Sequence, residues 1–400
     1  MQLAPRYHAF DALRGSMMLL GIVIHSAAAY CTFPDVWWLK DPSTSRFIDL
    51  LMLFVHSFRL PAFFVMSGFF AALLFSRRGW QGFLENRAAR LGLPFLLGSL
   101  AMFPFLKISS VYCYFLTRDP RPWQRTLSWL GQGRLESDIE PMHLWFLETL
   151  MLVSLAAALL GPWLSRVLSR PWFASFLSPW VGIPACSFLT FLTLLPMEFG
   201  ILDTPDNFAP YFRIVLAYSV FFAFGWGLYC HREMLDRLKA APAALFALAA
   251  ILIIPTSMAI APQFAARPLR HWPAFLATAT LTSAVAWLMI FALIGLFLRR
   301  CSDPSPRTRY LSDSAYWLYL FHPPVLVAIQ IPMLGLAWPV AVKFLIGILL
   351  ATPVLLYSYD LLVRDTWIGV ILNGRRYPRG LPGGAASAVL PASAPVAAEA

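Results

Sequence analysis

Asp11-Ala-Leu-Arg14-Gly-Ser-Met-Met-Leu-Leu-Gly21-Ile-Val-Ile-His25-Ser-Ala-Ala-Ala-Tyr30 decides the fold. The run is long and apolar enough to cross a bilayer, yet it carries an acid, an arginine and a histidine. Arg14 and His25 are eleven positions apart. At 100° per residue that is about three turns plus roughly 20°, so both lie on one helix face, about 16 Å apart along the axis. Asp11 falls within about 40° of the same face. Ionisable groups inside a span cost free energy and mark function by default. Histidine is the side chain best suited to moving protons near neutral pH.

Working outward, apolar runs recur along all 400 residues, of which 59% are hydrophobic and 13% charged. A soluble domain carries about 25% charged residues. The runs fall near 12–31, 48–76, 91–116, 143–160, 173–196, 211–230, 241–260, 273–298, 314–333 and 336–362. Backbone groups in lipid must be satisfied within their own segment, so these are helices. The expected fold is an all-α, polytopic membrane helix bundle of about ten transmembrane helices. Residues 1–375 form the membrane domain. Residues 376–400 form a disordered cytoplasmic tail, rich in Ala, Pro and Gly.

Positive charge orients the bundle. With the N-terminus in the cytoplasm, the inner segments hold most of the Lys and Arg, among them Arg77, Arg78, Arg87, Arg90, Arg232, Arg237, Arg299 and Arg300. The bias puts both termini inside. The net charge of +11 is thereby read as topology, with no nucleic-acid partner. Ala27-Ala28-Ala29 resembles a signal-peptidase site, but Asp11, Arg14 and His25 are out of place in such a segment. The five Cys match no metal or redox spacing, and no metal site is expected.

Four histidines fall in four different runs. His56 sits in Asp49-Leu-Leu-Met-Leu-Phe-Val-His56-Ser-Phe-Arg59-Leu-Pro61 and shares a face with Asp49 and Ser67. The bland alternative makes His56 and Arg59 a polar pair that only glues helices. His143 opens the fourth run beside Trp145 and Phe146. His322 precedes Pro323-Pro324, where a helix break at mid-membrane is expected to line a cavity. Arg78, Arg87 and Arg90 lie in an inner loop with Trp80 and Phe83. Guanidinium forks grip phosphates and rings stack on bases, although plain positive-inside anchoring accounts for the loop equally well.

Arg14-x10-His25, His56-Ser-Phe-Arg59, Phe63-Phe64-Val-Met-Ser67-Gly68-Phe69, the Arg78 to Arg90 loop, His143-Leu-Trp145-Phe146-Leu and Tyr319-Leu-Phe-His322-Pro together resemble the acyltransferase family 3 membrane proteins. Within the family they look most like the subgroup that succinylates periplasmic glucans. The resemblance implies a multi-pass protein of the bacterial inner membrane. It implies an acyl-coenzyme A donor (succinyl-CoA or acetyl-CoA) on the inner side and a glycan hydroxyl as acceptor on the outer side, with no permanently bound cofactor. It makes His25 catalytic and Arg14 essential, with Asp11 orienting Arg14. Arg78, Arg87 and Arg90 are then assigned to the coenzyme A head group. His56, Arg59, Ser67, His143, Trp145 and His322 are assigned to the substrates. A proton-coupled transporter, a non-enzymatic scaffold, and acetyl in place of succinyl transfer are the alternatives.

Overall fold

The computed structural model describes residues 7–33, 37–116, 118–136, 140–205, 207–265 and 270–380. Among them every regular element is helical. The α-helices are α1 (His8–Ala28), α2 (Arg46–Arg87), α3 (Leu93–Leu116), α4 (Pro122–Gly131), α5 (Trp145–Leu168), α6 (Pro179–Leu194), α7 (Phe212–Cys230), α8 (Pro242–Ala265), α9 (Trp272–Arg300), α10 (Pro306–Gln330), α11 (Val340–Leu362) and α12 (Trp367–Asn373).

Each of the ten apolar runs coincides with a long helix. Six helical stretches among the described residues are long and apolar enough to cross a membrane, or seven if the pair Pro171–Leu177 and Pro179–Leu194, bent by 98°, is one span. One of the six, Arg46–Leu116, is a single helical run that covers two of the runs expected from sequence. Gly79 bends it with φ 65° and ψ −173°, a conformation open to glycine because it has no Cβ. A π-helical turn at Ala88–Gly92 then leads into α3. α1 and α10 fall outside the six. Asp11, Arg14 and His25 dilute α1, and Arg307, Arg309, Asp313 and His322 dilute α10.

α1 packs on α10, α2, α9 and α11, and α2 packs on α7. A Cβ at Gly68 would overlap the Phe222 carbonyl, and one at Gly225 would overlap that of Val65. The two backbones touch there because both glycines lack a side chain. The core between these helices is aromatic: Phe64 stacks on Tyr218 at 4.4 Å and Phe221 on Trp287 at 5.0 Å. α8 and α11 instead turn large apolar side chains outward, including Leu248, Ile251, Leu345, Leu349 and Val354. An exposed apolar surface of that extent suits lipid, not water.

Two sequence expectations need correcting. Pro323-Pro324 does not break its helix: α10 runs unbroken to Gln330. Residues 376–380, assigned to the tail, are tied to the bundle. Tyr377 Oη donates to Asp313 at 3.0 Å and Arg364 Nε to the Pro378 carbonyl at 2.8 Å. The rest of the expected tail, 381–400, lies outside the described residues.

Candidate active site

α1, α2, α5, α8 and α10, with contributions from α3 and α7, line a cavity of about 1390 Å³. Its mouth is formed by the segments after α1 and before α5 and α7, and its floor by Met17, Met18 and Gly21 of α1. His25, His56, Arg59, His143, Trp145 and His322 all line it. The tertiary structure thus gathers four histidines from four helices.

Their orientation follows from α10. Proline lacks an N–H, so Pro323 and Pro324 leave the carbonyls of Tyr319 and Leu320 without their helical donors. Both carbonyls are taken by histidine. His322 Nδ1 donates to Tyr319 at 2.8 Å and to Leu318 at 2.9 Å. His143 Nε2 donates to Leu320 at 3.1 Å. Tyr319 Oη closes the arrangement by donating to the His143 carbonyl at 2.7 Å. A carbonyl only accepts, so each neutral ring has a fixed tautomer. The remaining nitrogens, His322 Nε2 and His143 Nδ1, are buried acceptors with no hydrogen-bond partner. Buried polar atoms of that kind are rare and call for an explanation.

The ring of His25 stands 4.9 Å from that of His322, which in turn stands 5.7 Å from His143. His25 also meets the Trp37 indole at 5.0 Å, and it makes no hydrogen bond to the described residues. Gly21, one turn before His25, leaves room beside them. A Cβ there would come within 2.9 Å of Arg59 Nη1 and 3.5 Å of His322 Nε2. Arg59 is the cation of this group. Its Nε is buried without a partner, and among the described residues no carboxylate pairs with it. Asp49 is committed elsewhere, accepting from Thr32 N at 2.7 Å and Thr32 Oγ1 at 2.5 Å. His56 bonds through Nε2 to the Leu202 carbonyl at 2.9 Å. At the mouth, burial pushes the Asp203 carboxyl up from its ordinary value, opposed by the Glu198 N–H and the Arg213 guanidinium.

Other sequence candidates lie elsewhere. Ser67 does not line the cavity, whose contribution from α2 ends at Phe63. It shares an azimuth with His56 but sits about 16 Å farther along the axis. Arg14 lies beyond the floor, one turn from Met17 and Met18. It donates through Nη2 to Ser312 Oγ at 2.7 Å and pairs with Asp11 at 3.3 Å. At that same end, Arg78 is exposed and Arg87 lies over the Phe83 ring at 5.1 Å with its Nε buried and unpartnered. Arg90 caps α12, donating through Nη1 to the Ile371 carbonyl at 3.0 Å. Sequence reasoning missed Gly21, Tyr319 and Trp37 as site residues. Their spacing from His25 and His322 signals the first two, and nothing local signals Trp37. Among the described residues no cluster of three or more His, Cys, Asp or Glu side chains has the arrangement to hold a metal ion.

A family model described as an acyltransferase domain, acyltransferase 3, matches residues 7–359. Proteins named glucans biosynthesis protein C from Salmonella paratyphi B, Salmonella heidelberg and Salmonella agona are each 27% identical to the chain over 164 residues. That stretch is 41% of this chain and 41% of each relative, so the chain spans less than half the length of the relatives it matches. No solved structure matches. Nearly the whole chain thus falls under one family model, and the chain belongs to the acyltransferase 3 family.

Proposed function

We propose that this membrane acyltransferase moves a succinyl group from acyl-coenzyme A, presented at the cytoplasmic face, to a hydroxyl of an extracytoplasmic glycan. The observation that carries the reading is the pairing of an uncommitted His25 ring with an Arg59 that has no carboxylate partner, both facing one cavity. A succinyl thioester brings a free carboxylate into a low-dielectric site. Burying it unpaired is very costly. Arginine offers a planar fork that matches it.

In the proposed step the acceptor hydroxyl oxygen attacks the thioester carbonyl carbon and its proton passes to a ring nitrogen of His25. Collapse forms the ester and breaks the C–S bond. The departing thiolate takes the proton back from His25, restoring the neutral ring and releasing the coenzyme A thiol. A general base of this kind contributes about 10²–10⁴-fold, and holding both substrates in one cavity adds an entropic advantage. The donor arm enters past Arg14, with Met17 and Met18 between it and His25. Arg87 and Arg78 serve the phosphates, and Arg90 joins them from the π-helical turn, where it also holds α12.

The proposed setting is a bacterial inner membrane, with ten spans and both termini cytoplasmic. The relatives' name supports a glucan as the acceptor class. The experiment is transfer of radiolabel from succinyl-CoA to glucan by purified protein in vesicles, alongside mass spectrometry of periplasmic glycans with and without the protein. Label on the glucan is expected. Substrate movement across the vesicle without acylation would instead make the chain a transporter.

A further inference from the structure

Trp37 and Trp38 are consecutive, and both line the cavity that holds His25. Their rings stack on one another at 5.1 Å and 22°. Trp37 also meets the His25 ring at 5.0 Å with the planes tilted by 55°, and its indole Nε1 is buried with no hydrogen-bond partner. A buried Trp N–H normally finds an acceptor. The tryptophans that serve as lipid-facing or interfacial anchors look different: Trp180, Trp163, Trp272 and Trp367 are all strongly exposed on the outside of the bundle.

The segment carrying the pair is pinned from below. Leu39 is fully buried, and the Asp41 N–H donates to the Ala29 carbonyl at 2.9 Å. Asp41 Oδ1 meets Lys343 Nζ at 2.7 Å, and both side chains are almost wholly inaccessible. Ser45 N–H donates to the Tyr30 carbonyl at 3.0 Å. An ion pair withdrawn from water on this scale needs close geometry to be tolerated, and Lys343 supplements it by donating to the Leu336 carbonyl at 3.0 Å. The anchors at Leu39, Asp41 and Ser45 hold the two neighbouring indoles in one place beside His25.

We propose that Trp37 and Trp38 form a carbohydrate subsite: one sugar ring of the acceptor lies against the indole pair, with a ring hydroxyl accepting from Trp37 Nε1 and the next hydroxyl turned to His25. The chemistry is that of a sugar, whose C–H face is apolar and whose edge carries hydroxyls. An indole supplies an apolar face and one donor. This subsite deepens the glycan-acceptor reading and rests on it.

Two measurements test it. The first is calorimetric binding of glucose tetrasaccharides (cellotetraose, laminaritetraose and maltotetraose) to detergent-solubilised protein with no acyl donor present. Wild type is expected to bind at least one. Trp38→Ala is expected to weaken that binding tenfold or more, with Trp38→Phe restoring most of it. The second is steady-state transfer, where Trp38→Ala is expected to raise KM for the glucan at least ten times more than KM for succinyl-CoA. Binding that is absent in wild type, or equal in wild type and Trp38→Ala, overturns the subsite. So does a KM effect confined to the donor. Since the binding measurement uses no donor, loss of the acyl-transfer reading leaves its outcome intact. Equal binding by Trp38→Ala leaves the acyl-transfer reading standing.

Discussion

The carbonyl of Leu320, deprived of its helical donor by Pro324, accepts the hydrogen bond that orients His143. His322 is oriented in the same way by the carbonyl that Pro323 frees. The double proline therefore acts on side chains of the cavity wall, and the helix axis carries on through it.

That relationship is open to mutation. Pro324→Ala returns an N–H to compete for the Leu320 carbonyl. A proline inside a helix costs about 3 kcal/mol relative to alanine, so the variant is expected to raise thermal stability while lowering kcat about tenfold as His143 loses its fixed tautomer. Thermal unfolding and transfer rates on the same preparation decide it. A stabilised variant with full activity would mean that the His143 orientation is irrelevant to catalysis.

His25→Ala is expected to reduce transfer by at least about 100-fold, the lower end of what a general base contributes. Membrane abundance and elution as a single species should remain near wild type, because the ring makes no hydrogen bond to the described residues. Full activity in well-expressed protein would remove His25 from the mechanism.

Arg59→Gln separates donors. Succinyl transfer should fall by a factor at least ten times larger than any acetyl transfer the enzyme performs, since acetyl carries no carboxylate to neutralise. Equal losses would make Arg59 structural and leave the acyl group undetermined.

Gly21→Val fills the space beside Arg59 Nη1 and His322 Nε2. Transfer is expected to drop tenfold or more with folding preserved, as the nearest atoms to the added Cβ belong to the Arg59 and His322 side chains and not to backbone. Unchanged kinetics would show that this part of the cavity stays vacant during turnover.

The inner arginines are distinguished by their partners. Arg87→Ala should raise KM for acyl-CoA with little change in KM for the acceptor, the signature of lost ground-state binding. Arg90→Ala should in addition loosen α12, whose last carbonyl groups it holds, and increase proteolysis near residue 374. A donor KM untouched by Arg87→Ala would reduce this loop to positive-inside anchoring. Reporters after Arg379 and within 231–239 should both read cytoplasm, and one within 197–205 the outside.

Hydropathy alone determined the ten long helices of this protein, but not the short α4 and α12. Lipid leaves a backbone segment of some twenty apolar residues one way to satisfy its polar groups, so runs such as 91–116 and 336–362 map directly onto α3 and α11. Periodicity also placed Arg14, Asp11 and His25 on one face of α1. A wheel reports azimuth and says nothing of depth, which is why Ser67 and Arg14 share faces with cavity residues and still lie outside the cavity. The membrane-span count depends equally on context: Asp11 and His25 on α1 and His322 on α10, which face the bundle interior, and the exposed Arg307 and Arg309 at the start of α10 make these helices look less apolar than their neighbours. Only the tertiary structure decided that prolines would orient histidines on two helices, that Gly21 would open space at Arg59, and that Trp37 would reach His25. The last rests on Asp41 and Lys343, paired across 302 positions of sequence. Contacts closed over such distances depend on how whole helices pack, and no local pattern of residues encodes them.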